Sequence, residues 1–136
     1  MPYIQRAITP ILKQRVSTSK CMLLVGARQV GKSTLIKHEF NNPQPLFIDE
    51  VQKESSILED IKQIVDESDE RGMFILSGSQ KLELMKGMSE SLAGRVSISE
   101  LTGLSMREIY GVKFNRHFIP TDAYIKEREK EIVKYD

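Results

Sequence analysis

The segment LLVGARQVGKSTL, residues 23–35, constrains the fold of this chain more than any other stretch. It begins within an apolar run at 21–25, passes through a loop bounded by glycines and enters a predicted helix at about Lys32. An apolar run of this length predicts a strand that is covered on both faces, as in a parallel sheet. A buried strand, a glycine-bounded loop and a helix in this order can hold an anion at the N-terminus of the helix.

The loop matches the pattern G-x-x-x-x-G-K-[ST], in which inward-pointing backbone N–H groups cradle phosphates. The two glycines permit backbone angles and close approaches that a Cβ would block. We expect Lys32 to reach the β- and γ-phosphates of a nucleotide and the Ser33 hydroxyl to ligate Mg²⁺. The alternative is a strand-to-helix turn that merely needs glycine. The predicted phosphate-binding residues are Gly26, Ala27, Arg28, Gln29, Val30, Gly31, Lys32, Ser33 and Thr34, the last through its backbone N–H.

A second apolar segment, residues 46–48, ends in the acidic pair Asp49 and Glu50. Ligands of open α/β sheets bind at the carboxyl ends of the strands, so both carboxylates are expected near the phosphate loop. We expect Asp49 to hold Mg²⁺ through its water shell and Glu50 to polarise the attacking water as a general base. An exposed acidic strand end is the alternative, which the neighbouring phosphate loop disfavours.

Two further segments contain polar candidates for catalysis. Ser77, Ser79 and Gln80 follow a third apolar segment, where a side chain such as Ser79 could orient the lytic water. A Ser- and Gly-rich turn explains the same residues equally well. Arg95 could act as an arginine finger on the γ-phosphate of a neighbouring copy, or it is a surface arginine that precedes a strand.

The order of elements predicts an α/β fold with a mainly parallel sheet, the three-layer sandwich of P-loop nucleotide-binding proteins. Helices are expected near 9–16, 32–40, 57–65 and 82–92, strands at 21–25, 46–48, 73–76 and 96–99, and a break at 17–19. Ser105 and Glu108 form a predicted capping box. A charged, solvated helix is expected from Asp122.

Composition excludes some classes of function and leaves others open. The formal net charge of +1 gives no broad basic field, so nucleic-acid binding is not indicated. No apolar run is long enough to span a bilayer, and the N-terminus lacks the features of a secretory signal. Cys21 is the only cysteine and is expected to be a buried filler, which favours a cytoplasmic location. His38 and His117 lie far apart and lack metal-ligand spacing.

Four segments together resemble a known family. GARQVGKSTL, PLFIDEVQ, MFILSGSQKLELMKGMSESLAGRV and FNRHFIPTDAYIKERE are similar to the bacterial and archaeal AAA-superfamily ATPases that carry a C-terminal domain of unknown function, family 4143. The resemblance covers nearly the whole chain. It implies ATP binding and hydrolysis with Mg²⁺, and a parallel sheet with strand order 5-1-4-3-2.

The chain departs from that family in two places. Only 17 positions separate Lys32 from Asp49, where relatives place another strand and helix, so the outer strand 2 is expected to be absent. The remaining helix and loop still reach the acidic strand, because two strand spacings are roughly 10 Å and the helix alone rises roughly 13 Å. The chain also ends where relatives continue, so the resemblance implies a truncated form, a fragment or a decayed copy.

We therefore expect three parts: a helical lead-in at 1–20, an ATPase core at 21–112 and the start of a helical continuation at 113–136. The expected function is Mg²⁺-dependent ATP hydrolysis that drives a conformational change, in a possible homo-oligomer with Arg95 acting in trans. The alternative is a nucleotide-binding remnant, or a regulatory or partner subunit, without turnover.

Overall fold

The computed structural model describes residues 2–40, 45–54, 56–79, 81–112 and 121–130. These residues form four β-strands, six α-helices and one 3₁₀ helix. In chain order they are α1 (Thr9–Thr18), β1 (Cys21–Val25), α2 (Lys32–Glu39), β2 (Leu46–Ile48), the 3₁₀ helix (Val51–Lys53), α3 (Ile57–Asp66), β3 (Phe74–Gly78), α4 (Lys81–Ser91), β4 (Val96–Glu100), α5 (Met106–Ile109) and α6 (Asp122–Glu129).

The four strands form one parallel sheet in the order β2-β3-β1-β4. This is the expected order without its outer strand, and the predicted α/β fold with a mainly parallel sheet is confirmed. Cys21 at the start of β1 pairs with Phe74 of β3 and with Val96 of β4. All strand carboxyl ends therefore lie at one edge of the sheet, where the residues after β1, β2 and β3 converge.

The core lies on both faces of β1, all five residues of which are buried. Because successive strand side chains point to opposite faces, Cys21, Leu23 and Val25 pack with buried residues of α3 and α4. Met22 and Leu24 pack on the other face with buried residues of α1 and α2. Helices on both faces of the sheet give the expected three layers.

Cys21 behaves as the buried filler that the sequence predicted. Its side chain is almost fully buried in the β1 core, and that burial raises the pKa of the thiol to about 12. The thiol is therefore protonated and chemically quiet in the folded chain.

Several element boundaries differ from the sequence prediction by one or two residues, and two of the differences coincide with side-chain hydrogen bonds. The expected break at 17–19 falls later, because α1 continues through Thr18. The hydroxyls of Ser17 and Thr18 donate to the carbonyl oxygen of Gln14 at 2.7 and 3.0 Å, which satisfies an acceptor near the helix end. The third strand, β3, extends past the apolar segment to Gly78. The hydroxyl of Ser77 within it is hydrogen-bonded to the carboxylate of Asp49.

The chain divides into two compact units, residues 8–103 and the described residues of 1–7 with 104–136. In the second unit, the predicted capping box of α5 is confirmed by reciprocal bonds between Ser105 and Glu108. The Glu108 carboxylate also accepts from Arg6 Nε at 3.0 Å and from the Ala7 N–H at 2.9 Å. Burial opposes its ionisation, but the hydrogen bonds from Ser105, Ala7 and Arg6 lower the pKa of Glu108 to about 2. The division expected at residues 20 and 112 stays a prediction.

Candidate nucleotide-binding site

The loop between β1 and α2 is shaped by its two glycines for different reasons. Gly31, the residue before α2, has φ 96° and ψ 24°, a left-handed conformation that glycine adopts without strain. Gly26 is required by packing, because a Cβ there would lie 2.3 Å from the backbone oxygen of Leu101. The Leu101 N–H donates to the Val25 carbonyl at 2.8 Å, so the chain leaving β4 presses directly against the start of the loop.

The ammonium group of Lys32 lies inside this loop. The residue is only 6% exposed, and Nζ donates to the carbonyl oxygens of Gly26 at 2.9 Å and Ala27 at 2.7 Å. In the described part of the chain no carboxylate forms an ion pair with Lys32. A buried cation that is satisfied only by carbonyls of its own loop is suited to receive an anionic group.

Ser33 and Asp49 meet at the mouth of the loop. The Ser33 hydroxyl lies 2.8 Å from Oδ2 of Asp49, and the buried hydroxyl of Ser77 donates to Oδ1. Partial burial raises the pKa of Asp49, but the hydrogen bonds from Ser77, Ser33 and the Glu50 N–H, with the charge of Lys32, bring the net pKa below the ordinary value. The ionised carboxylate is therefore the favoured form.

These oxygen donors fit Mg²⁺, which prefers hard oxygen ligands and is usually held by one or two protein groups together with substrate phosphates. The described residues contain no group of three His, Cys, Asp or Glu side chains that could hold a metal by themselves. A metal bound here would therefore take most of its ligands from a nucleotide and water.

Glu50 follows Asp49 in a conformation that is unusual for a residue with a Cβ. Its backbone has φ 53° and ψ 47°, and such left-handed conformations of non-glycine residues cluster at functional sites. The carboxylate oxygen Oε2 accepts from the side-chain amide of Gln52 and lies 3.4 Å from the hydroxyl of Ser79. The two neighbouring carboxylates therefore have different partners. Asp49 contacts Ser33 and Ser77, whereas Glu50 contacts Gln52 and Ser79.

A cavity of about 380 Å³ joins the loop to the acidic turn. Its size is within the range of small-molecule sites. Three cationic side chains and one carboxylate contribute to its lining. The lining residues are Arg28, Gln29, Gly31, Lys32, Ser33, Thr34, Glu50 and Lys53.

Most predicted site residues meet around this cavity, and a few do not. Ala27 contributes the carbonyl that holds Lys32, while Val30 packs against the core between β1 and α2. Arg95 lies elsewhere: it precedes β4 and forms an ion pair with Asp66. His38 is exposed on α2, whereas Gln80 and His117 lie outside the described residues.

Two residues of the site carried no predicted role. Gln52 contacts Glu50, and Lys53 lines the cavity. Both are on the 3₁₀ helix that follows the acidic pair, so the signal available in the sequence was their position directly after it. A 3₁₀ helix of three residues leaves too short a pattern to recognise from periodicity.

A family model described as an AAA domain matches residues 39–110 of the chain. The chain belongs to the AAA domain family. The family is one of ATPase-like, nucleotide-binding domains, which agrees with the parallel sheet and with the position of the acidic pair. The matched segment contains Asp49 and Glu50 but begins after the phosphate loop. The loop therefore rests on its own residue pattern and geometry.

Two relatives of this AAA domain are uncharacterized proteins of Mycobacterium bovis and Mycobacterium tuberculosis. Each is 29% identical over 125 residues, an alignment that covers 72% of this chain. The chain spans 28% of the length of either relative. No solved structure matches it.

No helix among the described residues is long and apolar enough to cross a membrane.

Proposed function

We propose that this AAA domain binds ATP with Mg²⁺ and hydrolyses it to ADP and phosphate. One observation carries the proposal: the Ser33 hydroxyl and the Asp49 carboxylate lie 2.8 Å apart although 16 positions separate them in the chain. Ser33 lies in the first turn of α2, after the phosphate loop, and Asp49 directly follows β2. Their proximity beside the cavity, which Ser33 lines, supports a single site that combines a phosphate cradle with two hard oxygen ligands.

Each residue has a distinct role in the proposed reaction. Lys32 would exchange its two carbonyl partners for β- and γ-phosphate oxygens, and the loop N–H groups would hold the remaining charge. Ser33 and Asp49 would hold Mg²⁺, which supplies charge neutralisation at the phosphates when it is bound. Glu50 would accept a proton from the attacking water. The oxygen of that water bonds to the γ-phosphorus while the bond from the γ-phosphorus to the bridging oxygen breaks and ADP leaves.

The test is to measure ATP affinity and phosphate release in three proteins: wild type, Lys32→Ala and Glu50→Gln. We expect Lys32→Ala to lose ATP binding, and Glu50→Gln to bind ATP but to release phosphate at least a hundredfold more slowly, on the order of a general base's contribution. Lys37→Ala, on the exposed side of α2, and Glu70→Gln, before β3, are the matched controls. Unchanged ATP affinity in Lys32→Ala would contradict the phosphate site.

The same measurements separate the alternative function. A protein that binds ATP tightly but releases no phosphate as wild type or as Glu50→Gln would be a nucleotide-binding remnant or a regulatory subunit. The left-handed Glu50 favours hydrolysis, because a binding-only site has no need for a strained acidic residue beside the cradle.

Three finer points belong to the same proposal. Membership of the subgroup with the C-terminal domain of unknown function is supported by the Gly-Ser-Gln and Leu-Ala-Gly-Arg segments. A homo-oligomer in which Arg95 completes a neighbour's site belongs to the same proposal; in its own chain Arg95 is paired with Asp66, away from the phosphate loop. A cytoplasmic location is supported by the single reduced and buried cysteine.

A further inference from the structure

Gln52, Glu50 and Ser79 form a small polar cluster beside the cavity. The amide nitrogen Nε2 of Gln52 donates to Glu50 Oε2 and lies 3.1 Å from the Ser79 hydroxyl oxygen. The cluster joins the 3₁₀ helix after β2 to the residue that follows β3. It therefore connects the proposed general base to a neighbouring strand of the sheet.

The direction of the Gln52 amide is set by chemistry. Turning the amide over would place its carbonyl oxygen against the carboxylate, where two acceptors repel each other. With the amide nitrogen toward Glu50, the carbonyl oxygen Oε1 is buried and has no hydrogen-bond partner among the described residues. In this orientation the amide nitrogen contacts Glu50 while the buried carbonyl oxygen stays unpaired, an arrangement that carries a cost in free energy.

Gly78 makes room for this amide. A Cβ at Gly78 would lie 2.7 Å from Gln52 Oε1 and 2.2 Å from a methyl carbon of Leu84. The Gln52 side chain is therefore confined between β3, α4 and the carboxylate that it contacts. A confined amide can fix the direction of a flexible glutamate in a way that an exposed one cannot.

The two oxygens of the Glu50 carboxylate are used differently. Oε2 is tethered by Gln52 and Ser79, whereas Oε1 has no described hydrogen-bond partner, and Glu50 lines the cavity. We propose that Gln52 is a positioning residue that tethers one oxygen of Glu50, so that the other faces the water that attacks the γ-phosphate. This inference rests on the proposed function, in which Glu50 is the general base.

The decisive variant is Gln52→Met, which keeps the length of the side chain but removes the amide. We expect its kcat for ATP hydrolysis to fall about tenfold or more, as for other residues that orient a catalytic group, while its Kd for ATP changes less than about threefold. Gln52→Glu should lower kcat at least as far, because a second carboxylate would repel Glu50. Gln63→Met, on the exposed side of α3, is the matched control.

A second variant distinguishes loss of positioning from an effect on folding. Ser79→Ala removes one anchor of the same amide without altering Gln52, and we expect a smaller fall in kcat in the same direction. In the Glu50→Gln background, Gln52→Met should cause no further loss, since the tethered base is already gone. A general loss of structure would instead lower ATP binding in every one of these variants.

The outcomes separate the inference from the proposed function. Wild-type turnover with unchanged kcat in both Gln52→Met and Ser79→Ala would overturn the inference alone. Parallel losses of kcat and ATP affinity would also overturn it, because they indicate a structural role. Absence of phosphate release by the wild type would overturn the proposed hydrolysis, and the role of Gln52 with it.

Discussion

Arg95 donates through Nε to the carboxylate of Asp66 at the edge of the sheet where the parallel strands begin. Arg95 directly precedes Val96, which pairs with Cys21, the first residue of β1. The phosphate loop follows Val25 at the other end of the same strand, roughly 13 Å away along β1. Within one chain, the guanidinium thus lies apart from the phosphate loop, and an action on a neighbour's γ-phosphate stays a prediction.

The trans prediction can be tested by mixing two inactive variants. Arg95→Ala keeps an intact cavity, and Lys32→Ala keeps Arg95 but lacks the phosphate-binding lysine. If Arg95 acts on a neighbour, the mixture should release phosphate faster than the sum of the separate proteins, and the gain should grow with protein concentration. The measurement is steady-state phosphate release at several mixing ratios.

The ion pair itself should contribute little to stability, because both side chains are more than a third exposed. Asp66→Ala is therefore a suitable control for the mixing experiment, since it removes the partner of Arg95 but leaves the arginine in place. A mixture that is no more active than its components would contradict the trans role.

Ser77→Ala should weaken Mg²⁺ binding without altering the phosphate cradle. The buried Ser77 hydroxyl orients Asp49, and loss of such a partner typically lowers metal affinity about tenfold or more. The measurement is the Mg²⁺ concentration that gives half-maximal phosphate release. ATP affinity without metal should stay unchanged.

The same variant has a pH signature. The Ser77 hydrogen bond helps to lower the pKa of Asp49, so its removal should raise that pKa. The carboxylate would then be protonated at a higher pH, and Mg²⁺-dependent activity should fall off earlier as the solution is acidified. Wild-type behaviour of Ser77→Ala on the acidic side would show that this hydroxyl does not tune Asp49.

Gly26→Ala should destabilise the fold as well as the site. The added Cβ would meet the Leu101 backbone oxygen at 2.3 Å, and backbone atoms cannot move aside as a flexible side chain can. We expect a loss of about 2 kcal/mol or more in the free energy of unfolding, measured with urea. In Gly103→Ala the new Cβ meets nothing within 4 Å, so that control should change stability by less than about 0.5 kcal/mol.

Glu108→Gln tests the electrostatics of the second unit, 1–7 with 104–136. The pKa of Glu108 is about 2 in the folded chain, against 4.5 for a free side chain, so its ionised form stabilises the fold. That contribution is complete above pH 4.5 and is lost as the pH falls through 2. It corresponds to about 3 kcal/mol at neutral pH, an upper bound for the effect of the substitution.

The chain provides its own probe for this measurement. It has no tryptophan, and all four tyrosines lie in 1–7 and 104–136, so tyrosine fluorescence reports on the second unit. Unfolding of Glu108→Gln should depend less on pH between 4.5 and 2 than that of wild type, whereas the exposed-site variant Glu90→Gln should retain the wild-type dependence. Equal pH dependence in Glu108→Gln and wild type would disprove the assignment.

The sequence predicts the sheet well because three of its strands are or begin as short apolar runs and the fourth, β4, alternates apolar and polar residues. The bounds of β1 and β2 are those predicted. β1 is buried throughout, whereas in β2 Leu46 is exposed and Phe47 and Ile48 are only partly buried, so the sequence predicts where β2 lies but not its burial. Prediction fails where polar side chains are satisfied by distant partners. The sequence predicts that the third strand ends before Ser77. The hydroxyl of Ser77 is instead hydrogen-bonded to Asp49, 28 positions away, and β3 continues past it.

The candidate site is predictable in its motifs but not in its contacts. Spacing alone indicates the phosphate loop and the acidic pair. The tether between Gln52 and Glu50 depends on the left-handed backbone of Glu50, which a residue with a Cβ rarely adopts and which no local pattern indicates. The position of Arg95 relative to the loop depends on strand register, which follows only from the assembled sheet.

The two halves of the site differ in how firmly the sheet holds them. The cradle follows β1, which is paired on both sides, whereas the carboxylates follow β2, a strand of three residues paired only with β3 among the described strands. Amide hydrogens of β2 should therefore exchange with solvent before those of β1. A ligand that bridges Ser33 and Asp49 would fasten the outermost strand to the central one, so nucleotide would slow exchange most at the edge.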